Sequence, residues 1–297
     1  MINTPKRYTV TAALPYVNGS KHIGHLAGAY LPADVYVRLK RLQEKDVVFI
    51  CGSDEHGTPI TIQAIKENCT PQEVIDKYHN LVKESFASLG ISFDMYHRTS
   101  APIHHETAQE FFTDFYNKGL FDEKVTRQYY DEEAGLFLAD RFIKGECPKC
   151  GAKDQYGDSC EVCAATYAPT ELKNPYSTIS GATPIEKESE HYFFKLPDFD
   201  GMLKEWTRSG HLQSEVSNKL DEWFESGLHD WDISRDAPYF GFEIPDAPNK
   251  YFYVWLDAPI GYMASFENLC AKKNLNFDDY WAADAEGKTE VYHFIGK

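Results

Sequence analysis

The stretch "YTVTAALPYVNGSKHIGHLAG", residues 8–28, predicts a strand that ends in a turn and leads into a helix. Residues 8–13 form the strand, and apolar positions recur near the helical period over residues 22–43. We expect Pro32 to kink that helix or to break its start. The run "DVVFIC", residues 46–51, is typical of a strand buried on both faces. This order of elements predicts parallel strands joined by a right-handed crossover.

The alternation of helices and strands continues beyond this first unit. "TPQE", residues 70–73, predicts a capped helix start, and the helix runs to about Gly90. "ISFDMY", residues 91–96, predicts a strand, and residues 102–118 predict another helix that Gly119 stops. The fold class is therefore α/β, with a doubly wound parallel sheet.

The alternation is lost in the middle of the chain. "KVTRQYYDEEAGLFLAD", residues 124–140, is typical of an antiparallel hairpin, and a cysteine cluster follows it. The α/β pattern then returns with a strand over 250–257, a helix over about 259–272 and a strand over 290–296. We interpret the chain as one α/β domain split by an insertion, with boundaries at residues 1–118, 119–236 and 237–297.

Composition excludes several classes of protein. The net charge of −16, without a dense Lys/Arg run, argues against an extended nucleic-acid groove. No apolar run is long enough to span a bilayer, and the first residues lack the apolar core of a signal peptide. We therefore expect a cytoplasmic protein with no membrane partner. Seven cysteines, four of them clustered, fit a reducing compartment with a metal site.

The turn after the first strand is a candidate phosphate site. Ligands of open α/β sheets bind beyond the carboxyl ends of the strands, where helix N-termini favour phosphate. His22 and His25 are three residues apart and can face one ligand, while Gly24 lets a flat group approach the backbone. The alternative is an ordinary strand-to-helix turn with two polar histidines.

The second strand leads into "CGSDEHGTPI", residues 51–60. Asp54 is a candidate partner for an ammonium group, with Ser53 and Glu55 as neighbouring alternatives. A helix-entry loop with capping acids explains the same residues without a ligand.

Two Cys-x-x-Cys pairs lie 13 positions apart, counted from Cys147 to Cys160. Two such turns form a tetrahedral thiolate cage, which indicates a closed, structural zinc site. An iron–sulfur centre and a redox pair are the alternatives. The four predicted ligands are Cys147, Cys150, Cys160 and Cys163.

Two later stretches carry further candidates. In "DWDISRDAPYFGF", residues 230–242, Arg235 is either a functional cation or a solvated arginine at a domain junction. In "YFYVWLDAPIGYM", residues 251–263, the aromatic residues either belong to the core or line a pocket for a thioether, which aromatic rings bind favourably.

Together these strings resemble the methionyl-tRNA synthetase family of class I aminoacyl-tRNA synthetases. "HIGH"-type residues 22–25 follow a Pro-Tyr-x-Asn-Gly lead-in, and "DEHG" (54–57), the cysteine pairs, "ISR" (233–235) and "WLDAP" (255–259) come in the family's order. The resemblance covers the whole chain and implies a Rossmann-like fold split by a zinc-binding connective domain.

The resemblance also implies roles for individual residues. His22 and His25 contact ATP phosphates, and Gly24 lies beside adenine. Asp54 binds the α-amino group of methionine, and Arg235 lies near the active site, where it can pair with Asp54. With Asp54, the implied methionine pocket comprises Leu14, Tyr16, Trp255, Ala258, Pro259 and Tyr262.

The implied reaction is ATP-dependent activation of L-methionine to methionyl-adenylate, followed by transfer to tRNA(Met). Mg²⁺ accompanies ATP, and Zn²⁺ is structural. The chain stops at Lys297, before the family's lysine loop and helical anticodon-binding domain, so we expect a fragment with impaired activity. The alternatives are another class I synthetase, such as one for valine or cysteine, and a zinc-knuckle binding module without catalysis.

Overall fold

The computed structural model describes residues 7–157, 159–281 and 288–295. The chain divides into two compact units, each of which is described on its own. The first unit comprises Met1–Glu110, Tyr239–Phe242 and Val254–Lys297. The second comprises Phe111–Pro238 and Glu243–Tyr253.

A parallel four-stranded sheet organises the first unit. Its strands are, in spatial order, β13 (Thr289–Phe294), β1 (Arg7–Ala12), β2 (Asp46–Ser53) and β3 (Met95–Arg98). The strands predicted over 8–13, 46–51 and 290–296 are confirmed, although Gly296 lies outside the described residues.

The strand predicted over 91–96 was wrong in position, because pairing with β2 begins only at Met95. The preceding residues make other contacts: the Ile91 N–H donates to the Phe86 carbonyl, and the Asp94 carboxylate accepts from the Phe49 N–H. The first bond closes the preceding helix, and Asp94 holds the middle of β2 with its carboxylate and with its own N–H, which donates to the Phe49 carbonyl at 2.7 Å directly before the strand pairing starts.

Helices connect the strands of the first unit. They are α1 (Ile23–His25), α2 (Leu31–Leu42), α3 (Thr58–Glu67), α4 (Pro71–Ser88), α5 (Pro102–Asn117, which ends in the second unit), α8 (Val254–Lys273) and α9 (Asp278–Trp281). One π-helical turn, Leu26–Tyr30, joins α1 to α2 directly before Pro32. The expected disturbance at Pro32 is therefore one wide turn in a continuous helical backbone, and the proline occupies the first turn of α2, where its missing N–H costs little.

The strand predicted over 250–257 was wrong in its second half. β12 ends at Phe252, and α8 begins at Val254 with Pro259 inside it. Residues Asp257, Ile260, Gly261 and Ala264 are buried, and their spacing of three or four residues is that of a helix face. Burial of this face overrides the β-propensity of the aromatic run before it.

Apolar side chains cover both faces of the parallel sheet. On one face Val10, Phe49 and Cys51 pack with Val37 of α2 and Phe86 of α4. On the other face a cluster from β2, β3, α8 and α9 contains Val48, Ile50, Met95, Phe266, Leu269 and Tyr280. Helices on both faces of parallel strands confirm the predicted doubly wound α/β class.

The second unit is built from antiparallel sheets. β4 (Phe121–Asp131) pairs with β5 (Leu136–Phe137), which confirms the predicted hairpin, and with β9 (Ile185–Phe194), which also pairs with β10 (Trp231–Asp232). A smaller sheet has the order β7 (Gln155–Tyr156), β6 (Ile143–Glu146), β8 (Lys173–Ser177), and β11 (Ser234–Asp236) pairs with β12 (Lys250–Phe252). Two helices, α6 (Asp200–Arg208) and α7 (Ser214–Ser226), complete the unit.

Among the helices that the structure describes, none combines the length and the apolar character needed to cross a bilayer.

Candidate functional site

The loops that follow β1 and β2 are joined by an isolated parallel bridge between Tyr16 and Asp54. The Asp54 N–H donates to the Pro15 carbonyl, and the Val17 N–H donates to the Asp54 carbonyl, each at 3.0 Å. The Tyr16 hydroxyl donates to the His56 carbonyl at 2.7 Å. These bonds hold the candidate residues of both loops at the carboxyl edge of the sheet, where open α/β proteins bind ligands.

His22 and His25 form a reciprocal cap at the start of α1. The Gly24 N–H donates to His22 Nδ1 at 3.0 Å, and the His22 N–H donates to His25 Nδ1 at 3.2 Å. An Nδ1 atom that accepts a hydrogen bond carries no proton, so each neutral ring bears its proton on Nε2. Both rings are exposed, with centroids 3.9 Å apart, and they present two Nε2 donors to a ligand.

The surroundings favour neutral imidazole at His25. Partial desolvation, followed by the charges of His22 and Lys21, lowers the pKa of this largely exposed ring. The ammonium group of Lys21 donates to the Tyr16 carbonyl at 2.6 Å, which ties the histidine turn to the bridge between the two loops. An added Cβ at Gly24 would lie 2.9 Å from His22 Cε1, so a side chain there would displace the ring.

The structure separates Asp54 from the two neighbouring candidates, Ser53 and Glu55. The Glu55 carboxylate is fully buried and accepts from Arg98 Nε at 2.9 and 3.0 Å, from Ser53 Oγ at 2.5 Å, and from Ser100. Burial alone would raise the pKa of Glu55, but hydrogen bonds from His79, Ser100 and Ser53 and the Arg98 charge lower it. Glu55 and Ser53 are thus saturated by internal partners.

Asp54 has the opposite environment. Its Oδ1 is buried and has no hydrogen-bond partner among the residues that the structure describes. Burial, together with the charges of Asp257 and Glu55, raises its pKa well above the ordinary value. A buried carboxyl that lacks a partner and faces negative charge is stabilised by a cation. Asp54 is therefore suited to bind an ammonium group.

A buried histidine–carboxylate cluster lies beside Asp54. Asp257 Oδ2 is 2.5 Å from His56 Nδ1 and 3.9 Å from His104 Nε2, and all three side chains are at most 2% exposed. Burial opposes ionisation of Asp257, but His56 and His104 outweigh it and lower the pKa. Sequence reasoning missed this cluster as part of the site. "DEHG" and "WLDAP" contain His56 and Asp257, whereas nothing in the sequence singles out His104.

The predicted methionine-pocket residues divide into two groups. Leu14 and Tyr262 come together: an added Cβ at Gly261 would lie 3.2 Å from Leu14 Cδ1, and a backbone hydrogen bond from Leu14 opposes in part the raised pKa of Tyr262. Tyr16 lies on the bridge to Asp54, whose charge also raises the pKa of Tyr262. Burial is the first cause of that raised pKa, so the phenol stays protonated.

Trp255, Ala258 and Pro259 occupy the first turns of α8. The Trp255 side chain is 67% exposed, Pro259 is exposed, and Ala258 is half-buried. Their assignment to the pocket stays a prediction.

Arg235 belongs to the second unit, on β11. Its guanidinium lies over the Tyr253 ring at 3.9 Å from the centroid, donates to the Ser234 carbonyl at 2.7 Å and is 3.6 Å from Asp232 Oδ1. The predicted pairing of Arg235 with Asp54 stays a prediction.

The four clustered cysteines converge, with all sulfur atoms within 4.8 Å of one another. Each pair folds in the same way: the Cys150 N–H donates to Cys147 Sγ, and the Cys163 N–H donates to Cys160 Sγ, both at 3.4 Å. Backbone N–H groups aimed at the sulfurs favour thiolates. The cluster could hold zinc, which takes four thiolates in a tetrahedral arrangement.

The edge site and the split parallel fold define a class I aminoacyl-tRNA synthetase domain, and comparison with known proteins agrees. A sequence model of the family described as tRNA synthetases class I (M) matches residues 8–297, so the chain belongs to that family. The predicted membership of this synthetase family is thereby confirmed.

Two similar solved structures come from Mycobacterium tuberculosis. One is methionyl-tRNA synthetase in complex with methionyl-adenylate, with a TM-score of 0.66 and 24% identity over 88% of this chain and 47% of that chain. The other, bound by methionyl-adenylate, has a TM-score of 0.65 and 23% identity with the same coverage. They support the fold, and this chain spans about half their length.

The contrast between Asp54 and Glu55 makes a prediction about stability. Glu55→Gln breaks a buried ion pair and should lower the free energy of unfolding by about 3–5 kcal/mol at pH 7. Asp54→Asn removes a carboxyl whose ionised form is disfavoured by burial and by the charge of Asp257, so the free energy of unfolding should stay equal or rise. Urea denaturation of both variants checks this.

The two carboxyls should also differ in their pH dependence. Glu55 has a lowered pKa, so its contribution is complete above 4.5 and declines as the pH falls. Asp54 has a raised pKa, so its contribution declines as the pH rises above 3.8. Equal destabilisation by the two substitutions at pH 7 would contradict the assignment.

Proposed function

We propose that the protein activates L-methionine with ATP to form methionyl-adenylate and transfers the methionyl group to tRNA(Met). The observation that carries the proposal is the buried, unpartnered Asp54 carboxyl at the sheet edge, close to Leu14, Tyr16 and Tyr262. A carboxylate that lacks a cation, set among apolar and aromatic side chains, suits an amino acid with an ammonium group and an apolar side chain.

In the first step the methionine carboxylate attacks the α-phosphorus of ATP, and pyrophosphate leaves. Mg²⁺ bound to ATP neutralises phosphate charge. The Nε2 donors of His22 and His25 would stabilise the charge that develops on the phosphate oxygens, and Gly24 would lie beside the adenine. The protein's contribution is positioning and electrostatic stabilisation, with no covalent intermediate on the enzyme.

Selectivity for methionine rests on its thioether. Sulfur–aromatic contacts contribute about 0.3–1.5 kcal/mol each. The protonated phenol of Tyr262 would add a donor that norleucine cannot accept, and Tyr16, Trp255, Ala258 and Pro259 complete the proposed pocket. Apolar fit alone discriminates by only about 1–3 kcal/mol per methylene, so homocysteine should be a competing substrate.

The remaining assignments follow the same proposal. Arg235 takes part at the active site, residues 1–118 and 237–297 belong to the catalytic domain, and residues 119–236 form the connective insertion.

We further propose that the four cysteines hold one structural Zn²⁺. The metal would cross-link two turns of the insertion, where the nearby β6–β7 and β6–β8 pairings are short. Binding energy of such a metal is folding energy for the segment around it.

An amino-acid screen by thermal shift tests the methionine proposal. At about 100 times its dissociation constant, L-methionine should stabilise the protein by about 2.7 kcal/mol. Norleucine should be weaker, and 4-(methylthio)butanoate, which lacks the ammonium group, should have no effect. Asp54→Asn should abolish the methionine shift, and the exposed control Asp114→Asn should retain it.

The screen also separates the alternatives. Stabilisation by valine or cysteine in place of methionine would identify a different class I synthetase. The absence of a shift with every amino acid, in protein that binds zinc, would support a binding module and contradict the proposal.

A pair of backbone positions gives a sharp test of the metal site. Gly151 and Ala164 directly follow the second cysteine of each pair, and both have positive φ, +72° and +57°. A non-glycine residue in this region costs about 1–2 kcal/mol. Ala164→Gly should therefore tighten zinc binding severalfold, Gly151→Ala should weaken it, and Cys160→Ser should abolish tetrahedral binding. Competition with a chromophoric chelator measures the affinities, and weaker binding by Ala164→Gly would contradict the geometry.

A further inference from the structure

His191 on β9 is a buried histidine that the proposed mechanism does not use. It is 2% exposed, and each of its ring nitrogens contacts a carboxylate. Nδ1 is 2.7 Å from Asp232 Oδ2, and Nε2 is 2.9 Å from Asp236 Oδ2. A carboxylate only accepts hydrogen bonds, so both ring nitrogens must donate and the ring carries a positive charge.

The two carboxylates flank Arg235 in the sequence, and the second oxygen of each contacts a different set of partners. Asp232 Oδ1 accepts from the Ser234 N–H at 3.1 Å and is 3.6 Å from the Arg235 guanidinium. Asp236 Oδ1 accepts from the Lys250 ammonium group and from Ser189 Oγ. Lys250 therefore compensates Asp236, whereas the cations within 4 Å of Asp232 among the described residues are His191 and Arg235.

The elements around His191 supply its charged neighbours. β10 and β11 contribute Asp232, Asp236 and Arg235, and β12 contributes Lys250. From β4, Lys124 is paired with His191 in register, but its ammonium group contacts Asp122 and Asp230. Burial disfavours a charged ring, yet the hydrogen bonds to Asp232 and Asp236 outweigh it and raise the pKa of His191.

We propose that His191 is a positioning residue for Arg235. Held as an imidazolium between Asp232 and Asp236, it neutralises Asp232 and fixes β11 on β9. Arg235 is thereby kept stacked on Tyr253 and is not drawn into a close pair with Asp232. Because Asp232 and Asp236 are then compensated by His191 and Lys250, the positive charge of the Arg235 guanidinium remains available to interact with the substrate. This inference rests on the proposed role of Arg235 in methionine activation.

The charge state is tested on the unsubstituted protein by ¹⁵N NMR of the histidine rings. At pH 7 both His191 nitrogens should be protonated, and the ring should titrate above 6.5, the ordinary value. The Arg235 Nε–H signal should be sharp and should broaden in His191→Gln. A neutral His191 ring at pH 7 would overturn the proposal whether or not methionine binds.

A double-mutant cycle tests the link to function. In isothermal titration with L-methionine, His191→Gln and Arg235→Gln should each weaken affinity about tenfold, because misplacing a substrate-binding group has effects of this size or larger. The double variant should be no weaker than Arg235→Gln alone. His229→Gln, an exposed histidine in the same unit, is the control and should bind normally.

The other outcomes of these experiments distinguish a failure of the positioning role from a failure of the proposed function. Additive losses, or an Arg235→Gln variant that binds methionine normally, would overturn the positioning role and leave methionine activation intact. An unsubstituted protein that does not bind methionine would overturn the proposed function, and the ring charge and the Arg235 signal would still decide the structural claim. Should His191→Gln fail to fold, the ring titration of the unsubstituted protein decides the claim alone.

Discussion

The parallel bridge between Tyr16 and Asp54 is the constraint on which the candidate site depends. It extends the pairing of β1 and β2 beyond the strands and holds two loops with separate motifs at one edge of the sheet. Through Lys21 it reaches the histidine turn, and through the Tyr16 hydroxyl it reaches His56 and so Asp257. Without it, the candidate phosphate-binding histidines and the candidate ammonium-binding carboxyl would belong to two independent loops.

The same edge holds three acidic side chains whose environments divide their roles. Glu55 is saturated by Arg98, His79 and serine hydroxyls, and Asp257 contacts His56 with His104 nearby, so the pKa of both carboxyls is lowered. The negative charges of Glu55 and Asp257, together with the burial of Asp54 itself, disfavour the ionised form of Asp54 and raise its pKa. The site is thus suited to a cation, which the internal residues that the structure describes do not supply at Asp54 Oδ1.

Much of this arrangement could be predicted from local patterns. The apolar runs gave β1 and β2, and the spacing of His22 and His25 and of the four cysteines predicted groups that come together. The start of α8 could not be predicted, because burial of Asp257 and Gly261 decides between helix and strand in a run of aromatic residues. The choice of Asp54 over Glu55 depends on Arg98, which lies 43 residues further along the chain. His104 and His191 carry no sequence signal, because their partners are brought close only by the fold.

The most direct test of the central claim counts the protons exchanged when methionine binds. Calorimetric titrations at pH 6, in buffers with different ionisation enthalpies, give this number. An ordinary aspartate is already ionised at this pH, whereas the raised pKa of Asp54 shifts this carboxyl toward its protonated form, and pairing with the ammonium group displaces that proton. The account predicts proton release when methionine binds; methionine binding with no proton exchange in any buffer would contradict it.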